Sequence, residues 1–396
     1  MFRPRFLLVC AALLILSAAL PVFGQDAPSG EPIIIGAVFN STGWMAAYDQ
    51  PPQRGAQIAV DEINAAGGVL GRPLQLIVLD GRTDPATVFN AALQLIDEGA
   101  HFIITPSDFD IGGPASAAAQ QAGLVGLSPG ASSPLFGAVG LGDKQFTVAA
   151  WTNYGSAAAA EYGFNEQGWR TAYVITDTSI DYSDSQGRYF IQAWEALGGE
   201  IVGTDTFVQG DQDFSGQLQR LQALSEQPDV IFIASYMPDV GTLIREIRAL
   251  GIETPILGGD AYDTTELYEV LGEQFGNNIF FSTHSWMGPE NSEAMVAFIE
   301  AYEAAYGEPP DNSFIALGYD AVHIIAQAVE AAGSLDGDAV AEAMRSLQFS
   351  LLSGELDWGD VESGHETIKE LFILEVQGGA PSFVTRFIPE LVPQPN

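Results

Sequence analysis

From residue 31 onward, short apolar runs alternate with longer amphipathic ones. Ile33–Phe39 reads IIIGAVF, a continuous apolar run of strand length. Residues 53–65 carry apolar side chains at Ala56, Ala59, Val60 and Ile63, the spacing of one helix face, and Gly67-Gly68 stops the pattern. The alternation continues with strands over Leu74–Asp80, 101–105 and 124–127. Helices are predicted over 85–98 and 113–122, and Asp84 stands where an N-cap belongs. A second series follows a strand at 146–149. Its predicted helices cover 154–167, 185–197, 215–224 and 240–250, and its strands 171–176, Glu200–Phe207, Val230–Ala234, 255–257 and 278–282. Helices over Glu293–Tyr306, 314–332 and 337–347 come next, then strands over Gly354–Trp358 and 370–377.

Strands separated by helices build parallel sheets covered on both faces. The chain therefore reads as α/β, with two similar lobes, each a parallel-rich sheet flanked by helices. At 396 residues it has enough length for two cores. No Pro/Ser-rich linker separates the halves, so short hinge strands are expected between them.

Charge narrows the function. With 14 Lys+Arg against 51 Asp+Glu the formal charge is −37. That excludes a general nucleic-acid binder, which needs a basic face to release counterions, and it disfavours docking on anionic lipid. Arg3 and Arg5 precede an apolar run from Phe6 to Leu20, followed by Pro21 and Val22-Phe23-Gly24. This is the layout of a secretory signal cleaved near Gly24/Gln25, and the run is shorter than a spanning helix needs. Val9 stands where a lipoprotein signal wants a small residue before Cys10. No further apolar run is read as reaching membrane length. An exported, periplasmic or extracellular protein without disulfides is expected, since Cys10 is the one cysteine.

Enzyme motifs are missing: there is no G-x-S-x-G, no P-loop, no H-E-x-x-H and no cysteine site. The spacing Asp177, Asp181, Asp184 lacks the glycine and terminal glutamate of a calcium loop, and Asp213-Phe214-Ser215 reads as a helix cap. No cofactor and no metal are expected. The informative positions are the ends of strands, where open parallel sheets bind ligands. These ends read Asn40–Trp44, Thr105–Phe109, Leu127–Pro134, Thr176–Tyr182, Ser235–Pro238 and Gly258–Tyr262, rich in hydroxyls, aromatics and acids.

Against this background the sequence resembles the extracytoplasmic solute-binding proteins of branched-chain amino-acid ABC transporters, the leucine/isoleucine/valine-binding family with the type I periplasmic-binding fold. The resemblance rests on Ile35-Gly36-Ala37 with Thr42-Gly43, on Arg54-Gly55-Ala56 and the run Ala59 to Gly71, on Asp84-Pro85, and on Leu127-Ser128-Pro129-Gly130-Ala131. Asp213-Phe214-Ser215 and Gly258-Gly259-Asp260 extend it over the whole exported chain. It implies lobes of 31–150 plus 284–353 and 151–283 plus 354–396, with three crossovers near Ala150, His284 and Gly354. It also implies a monomer that takes a small ligand between its lobes and passes it to a membrane permease, with no nucleic-acid partner. By position, Ala131 and Ser132 correspond to the backbone and hydroxyl pair that holds the α-amino and α-carboxyl groups, and Asp260 to the acid that holds the ammonium. Tyr182 and Tyr236 fall where second-lobe aromatics close over the ligand, and Trp44 and Tyr48 where the first-lobe loop walls the pocket. One departure stands out. Where the family carries a serine for the carboxylate, this chain reads Ser107-Asp108-Phe109-Asp110, so Phe109 or Asp108 takes that place. Trp151 replaces an acid-containing turn and is a further candidate wall. An apolar amino acid, or a related amine or amide, is the expected ligand. A sensing module of the same fold and a secreted enzyme with a dispersed site are the rival readings.

Overall fold

The structure, a computed structural model, describes residues 28–211 and 213–395. The expected export signal, with Arg3, Arg5, Cys10 and the Gly24/Gln25 junction, lies outside the described residues. The first lobe is built from β1 (Ile33–Phe39), α1 (Ala46–Ala65), β2 (Leu74–Asp80), α2 (Pro85–Asp97), β3 (Phe102–Ile104), α3 (Phe109–Gln121), β4 (Val125–Ser128) and β5 (Gln145–Thr147). Its five strands are all parallel in the order β2-β1-β3-β4-β5, so the direction of winding reverses beside β1. The second lobe follows: α4 (Thr152–Glu161), β6 (Thr171–Asp177), α5 (Asp181–Ala196), β7 (Glu200–Phe207), α6 (Ser215–Gln222), β8 (Val230–Ala234), α7 (Asp239–Ala249), β9 (Ile256–Gly258), α8 (Thr265–Phe275) and β10 (Ile279–Thr283). The chain then returns through α9 (Glu293–Tyr306), α10 (Ser313–Ala332) and α11 (Gly337–Ser346) to a small antiparallel sheet of β11 (Phe349–Leu351), β12 (Gly354–Trp358) and β13 (Thr367–Ile368). It ends in the hairpin β14 (Leu371–Gln377) and β15 (Ala380–Phe387). The second sheet runs β15-β14-β10-β9-β8-β6-β7, parallel from β10 to β7, and reverses beside β6.

The long apolar runs form the elements that their pattern implies. Ile33, Ile35, Val38 and Phe39 of β1 and all of β3 and β8 are buried between helical layers. Each such side chain contributes about 1.5–3 kcal/mol by leaving water. Asp84 accepts the N–H of Thr87 at 2.7 Å and Pro85 fills the first turn of α2. Three expectations shift. First, α1 begins at Ala46 instead of residue 53, with Pro51 and Pro52 inside it. Its early turns carry Tyr48 and Asp49, both buried, so tertiary contacts outweigh the prolines. Second, α8 and β15 were not anticipated: β15 is a half-exposed edge strand with little apolar alternation. Third, Gly354–Trp358 pairs with β11 and β13, and Trp358 Nε1 donates to the Thr147 carbonyl beside β5 at 2.9 Å. The chain rejoins the second sheet only at Leu371, after Lys369, not near Gly354.

Helix α10 is, by length and composition, apolar enough to cross a membrane, but it is a core helix here, and the buried Asp320 within it accepts the N–H groups of Leu352 and Ser353. It lies against α1 at backbone contact. A β-carbon on Gly318 would meet the Pro52 carbonyl oxygen at 1.9 Å, and one on Gly55 the Ile315 carbonyl oxygen at 2.0 Å. Neither neighbour is a movable side-chain tip, so the helices must separate to admit a methyl group. We expect Gly318→Ala to lower stability by roughly 1–3 kcal/mol or more, read as an earlier urea midpoint; an unchanged midpoint would show that the contact is not tight.

Candidate ligand-binding site

Each sheet reverses its winding at one point, and in open parallel sheets a crevice opens there beyond the carboxyl ends of the strands. The two crevices face each other. Between them lies a narrow cavity whose non-atom space, solvent at its mouth included, is about 340 Å³. Its first-lobe wall comes from the segments after β1 (Trp44, Met45, Tyr48), after β3 (Ser107, Asp108) and after β4 (Gly130, Ser132), with Phe314 from the start of α10. The second-lobe wall comes from Ile180 and Tyr182 after β6, Tyr236 after β8, and Asp260 and Ala261 after β9.

The lobes meet tightly around this cavity. Tyr48, on a first-lobe helix, donates its hydroxyl proton to the Ala261 carbonyl at 3.1 Å and accepts the Met237 N–H at 2.9 Å. Trp44 lies on Tyr236 with ring centroids 4.6 Å apart. Outside the cavity the Asp181 N–H donates to Asp110 Oδ2 at 2.8 Å, and Ser133 Oγ donates to the Asp181 carboxylate. On the opposite side Thr283 Oγ1 bonds Ser313 Oγ at 2.8 Å. The cleft is closed.

Two buried carboxylates face the cavity, and among the described residues no Lys or Arg lines it. Asp260 stands just after Gly259, whose missing side chain leaves room for the Gln186 amide: a β-carbon there would lie 1.7 Å from Gln186 Nε2. That amide donates to Tyr182 OH at 3.1 Å. The Tyr182 hydroxyl also accepts the Ala261 N–H at 3.0 Å and donates to Asp260 Oδ1 at 2.9 Å. Asp260 Oδ2 lies 3.1 Å from His284 Nε2. Asp108 caps α3 by accepting the Ile111 N–H at 2.9 Å. Burial, reinforced by the charge on Asp110, pushes its carboxyl up to about 7. Behind it Asp49 of α1 accepts the Asn40 N–H, the Asn40 amide and the Ser107 N–H at 3.0, 2.7 and 2.8 Å, tying the ends of β1 and β3 together. Even so, burial holds Asp49 at about 6. The Ser132 hydroxyl is buried on the cavity wall with no hydrogen-bond partner in the protein, and those of Ser107 and Tyr236 are buried there with only loose contacts to Asp49 and Ser179. This arrangement offers hydroxyls and carboxylates from both lobes, with aromatic faces among them. It suits a small molecule with a cationic nitrogen and an apolar body.

Of the residues singled out in the sequence, Trp44, Tyr48, Ser107, Asp108, Ser132, Tyr182, Tyr236 and Asp260 come together around this cavity. Three do not. Phe109 is a half-buried residue in the first turn of α3 and does not line it. Ala131 has both backbone groups engaged: its N–H donates to Ser128 Oγ at 3.0 Å and its carbonyl accepts Thr147 Oγ1 at 2.7 Å. Its neighbour Gly130 reaches the wall instead. Trp151 precedes α4 and lines a separate crevice with Leu135, Arg188 and Glu366. Met45, Gly130, Ile180, Ala261 and Phe314 were missed, as was His284 behind Asp260. The position of His284 directly after β10 is the same strand-end signal that marked the others.

Comparison with known proteins gives one consistent picture. The family model described as periplasmic binding protein matches residues 32–380. A Leu/Ile/Val-binding protein of Rhizobium johnstonii is 28% identical over 349 residues, covering 88% of this chain and 92% of that protein. Among solved structures, a leucine-binding protein from Thermotoga maritima superposes with a TM-score of 0.80 at 30% identity, covering 90% of this chain and 99% of its own. The substrate-binding protein of a branched-chain amino-acid transporter from Streptococcus pneumoniae, in complex with isoleucine, gives 0.80 at 28% identity, with 89% and 99% covered.

The raised carboxyl of Asp108 has a consequence for stability. Between the ordinary carboxylate range and about 7 the folded protein binds this proton and the unfolded chain does not, so its contribution to stability is lost as pH rises through that window. His323 and His365, pulled down by burial, act in the opposite direction and cancel against a variant that retains them. Asparagine caps a helix as well as aspartate does. Measured against Asp108→Asn, the wild type in this closed state is expected to lose on the order of a few kcal/mol between pH 5 and pH 8 in urea titrations; parallel curves would mean that Asp108 is not held protonated in it.

Proposed function

This chain belongs to the periplasmic binding protein family, and on that premise we propose that it captures a small solute carrying a cationic nitrogen and an apolar body, for delivery to the permease of an ABC transporter. An apolar amino acid is the leading case. The observation that carries this reading is the closed cavity between the lobes, with Asp108 and Asp260 buried in its walls, no Lys or Arg in its lining among the described residues, and Trp44, Tyr48, Tyr182, Tyr236 and Phe314 around it. Ser107, Ser132 and Tyr236 supply hydroxyls for a ligand carboxylate, Asp260 supplies the counter-charge for its ammonium, and the aromatic and aliphatic walls take the side chain. The names of the relatives, which bind leucine, isoleucine and valine, support the same class. Family membership supports an extracytoplasmic location, and a cleavable signal before Gln25 fits it.

In this reading no bond is made or broken. The ligand meets the first lobe in the open protein, and contacts such as Tyr48 with Ala261 and Met237 form on closure. The ligand shifts the equilibrium by as much as its affinity for the closed form exceeds that for the open form. The lobes that move are those carrying the two large sheets, with the small sheet of β11–β13 riding on the first. A carboxylate-free amine or amide is a second reading, favoured by Asp108 standing where a carboxylate would otherwise be received.

Calorimetry with leucine, phenylalanine, a simple alkyl amine, glutamate and a sugar phosphate tests the class. Neutral amino acids or amines should bind, and the two anions should not, because the cavity offers them no cation. Tight binding of glutamate or the phosphate with the others silent would overturn the reading. Asp260→Asn keeps the shape of the side chain and removes its charge. Leaving a buried ammonium unpaired typically costs about 3–5 kcal/mol, so affinity should fall on the order of a hundredfold or more with thermal unfolding preserved. Undiminished affinity in the folded variant would remove Asp260 from this role.

A further inference from the structure

Asp108 creates a conflict that the rest of the cavity does not resolve. The residue is 5% exposed and lines the same first-lobe wall as Ser107 and as Ser132, whose hydroxyl has no partner in the protein and is free to receive a ligand carboxylate. The Asp108 carboxyl is engaged by the backbone N–H groups of Ile111 and Asp110 at the start of its helix, and no cation among the described residues neutralises it. The charged and titratable groups around it are Asp110 on its own helix, Asp49 on α1 behind Ser107, and Asp181 on α5, which lies against Asp110. Tyr48, Tyr182, Tyr236 and Asp260 complete the set across the cavity, with His284 behind Asp260. None of these brings a fixed positive charge, four of the eight are carboxyl groups, and burial raises the three tyrosines and keeps them neutral. Two carboxylates brought together in such a place cannot both stay ionised.

We propose that this protein takes up one proton as it closes on a zwitterionic ligand, and that the proton, drawn from the solvent, resides on Asp108, whose O–H then donates to the ligand carboxylate. The inference rests on the amino-acid reading of the site and specifies how that reading is met. Burial in the closed cleft pushes the carboxyl up to about 7 even before a ligand carboxylate is added, so near neutral pH the proton is held on closure at little cost. A neutral carboxylic acid in a buried site is a hydrogen-bond donor, which a carboxylate is not. The serine expected here from the family resemblance would donate without a proton from solvent. Asp108 makes the same bond conditional on pH. A carboxylate-free cation would have the opposite linkage, because its charge is best met by ionised Asp108 and its binding would release the proton.

The sign of the proton exchange therefore decides the matter. Leucine binding to the purified full chain is measured by calorimetry at pH 8.0 in phosphate and in Tris, buffers of very different ionisation enthalpy. The dissociation constant is followed from pH 6 to pH 8.5, where the leucine ammonium stays charged. We expect uptake of close to one proton per leucine at pH 8.0, and an affinity that weakens about tenfold per pH unit above pH 7.5. In Asp108→Asn, whose amide donates at every pH, the uptake should vanish and the affinity should be flat over the same range. Asp108→Ser, which also caps α3 and also donates, should behave likewise and serves if the asparagine variant folds poorly. Leucine binding without proton uptake, or with release, would overturn the proposal while leaving the amino-acid reading intact. Uptake that persists in the folded variants would move the proton to another group and overturn it as well. Absence of leucine binding alongside binding of the alkyl amine would sink both, and the two failures are distinguished by whether leucine gives a binding isotherm.

Discussion

The closed cleft is governed by buried negative charge that lacks a cation of its own. Asp108 and Asp260 face one cavity from opposite lobes, Asp49 lies directly behind the first, and among the described residues neither Lys nor Arg enters the lining. Burying a carboxylate is costly unless it is paired, hydrogen-bonded or protonated. The three acids meet this differently. Asp49 is bonded through both oxygens to backbone and amide donors, Asp260 lies between the Tyr182 hydroxyl and His284, and Asp108 has only backbone donors of its own helix, Ile111 and Asp110, and is pushed up to about 7. Asp108 is therefore the group most dependent on what fills the cavity, and the ligand class we propose follows from the charge that the walls leave unmet.

That constraint is delivered by topology. Both sheets reverse winding at one strand, β1 in the first and β6 in the second, and the site residues stand on the segments that leave the sheets at and beside those reversals. Asp49 fixes the spacing of the segments after β1 and β3. The preceding residue on the same helix, Tyr48, reaches across to Ala261 and Met237. Helix α1 thus organises the first-lobe wall and contacts the second lobe. Its own position depends on glycine contacts with α10, the helix that brings Phe314 to the cavity. Packing far from the ligand and the geometry of the closed cleft are in this way parts of one arrangement.

Much of this was legible in the sequence because it is local or periodic. The apolar runs of β1, β2 and β8, the Asp84 cap and the strand-end clusters follow from patterns a few residues long. The start of α1 did not, since Pro51-Pro52 reads as a helix boundary and only the tertiary roles of Tyr48 and Asp49 override it. The choice of Gly130 over Ala131 at the wall depends on Ser128 and Thr147 capturing both backbone groups of Ala131, one of them from another strand. Phe314 is 54 residues beyond Asp260, and nothing in its neighbourhood marks it as a wall residue. His284 carried a usable signal, its place at the end of β10, but a single histidine after a strand does not reveal that an aspartate 24 residues earlier lies against it.

The central claim is that the cleft is built for a cationic nitrogen on an apolar body. It is tested most directly by native mass spectrometry of gently purified protein, with release and identification of whatever co-purifies. The account predicts a mass increment that on release proves to be an apolar amino acid or a small amine or amide. A released phosphate ester, dicarboxylate or uncharged sugar would contradict it.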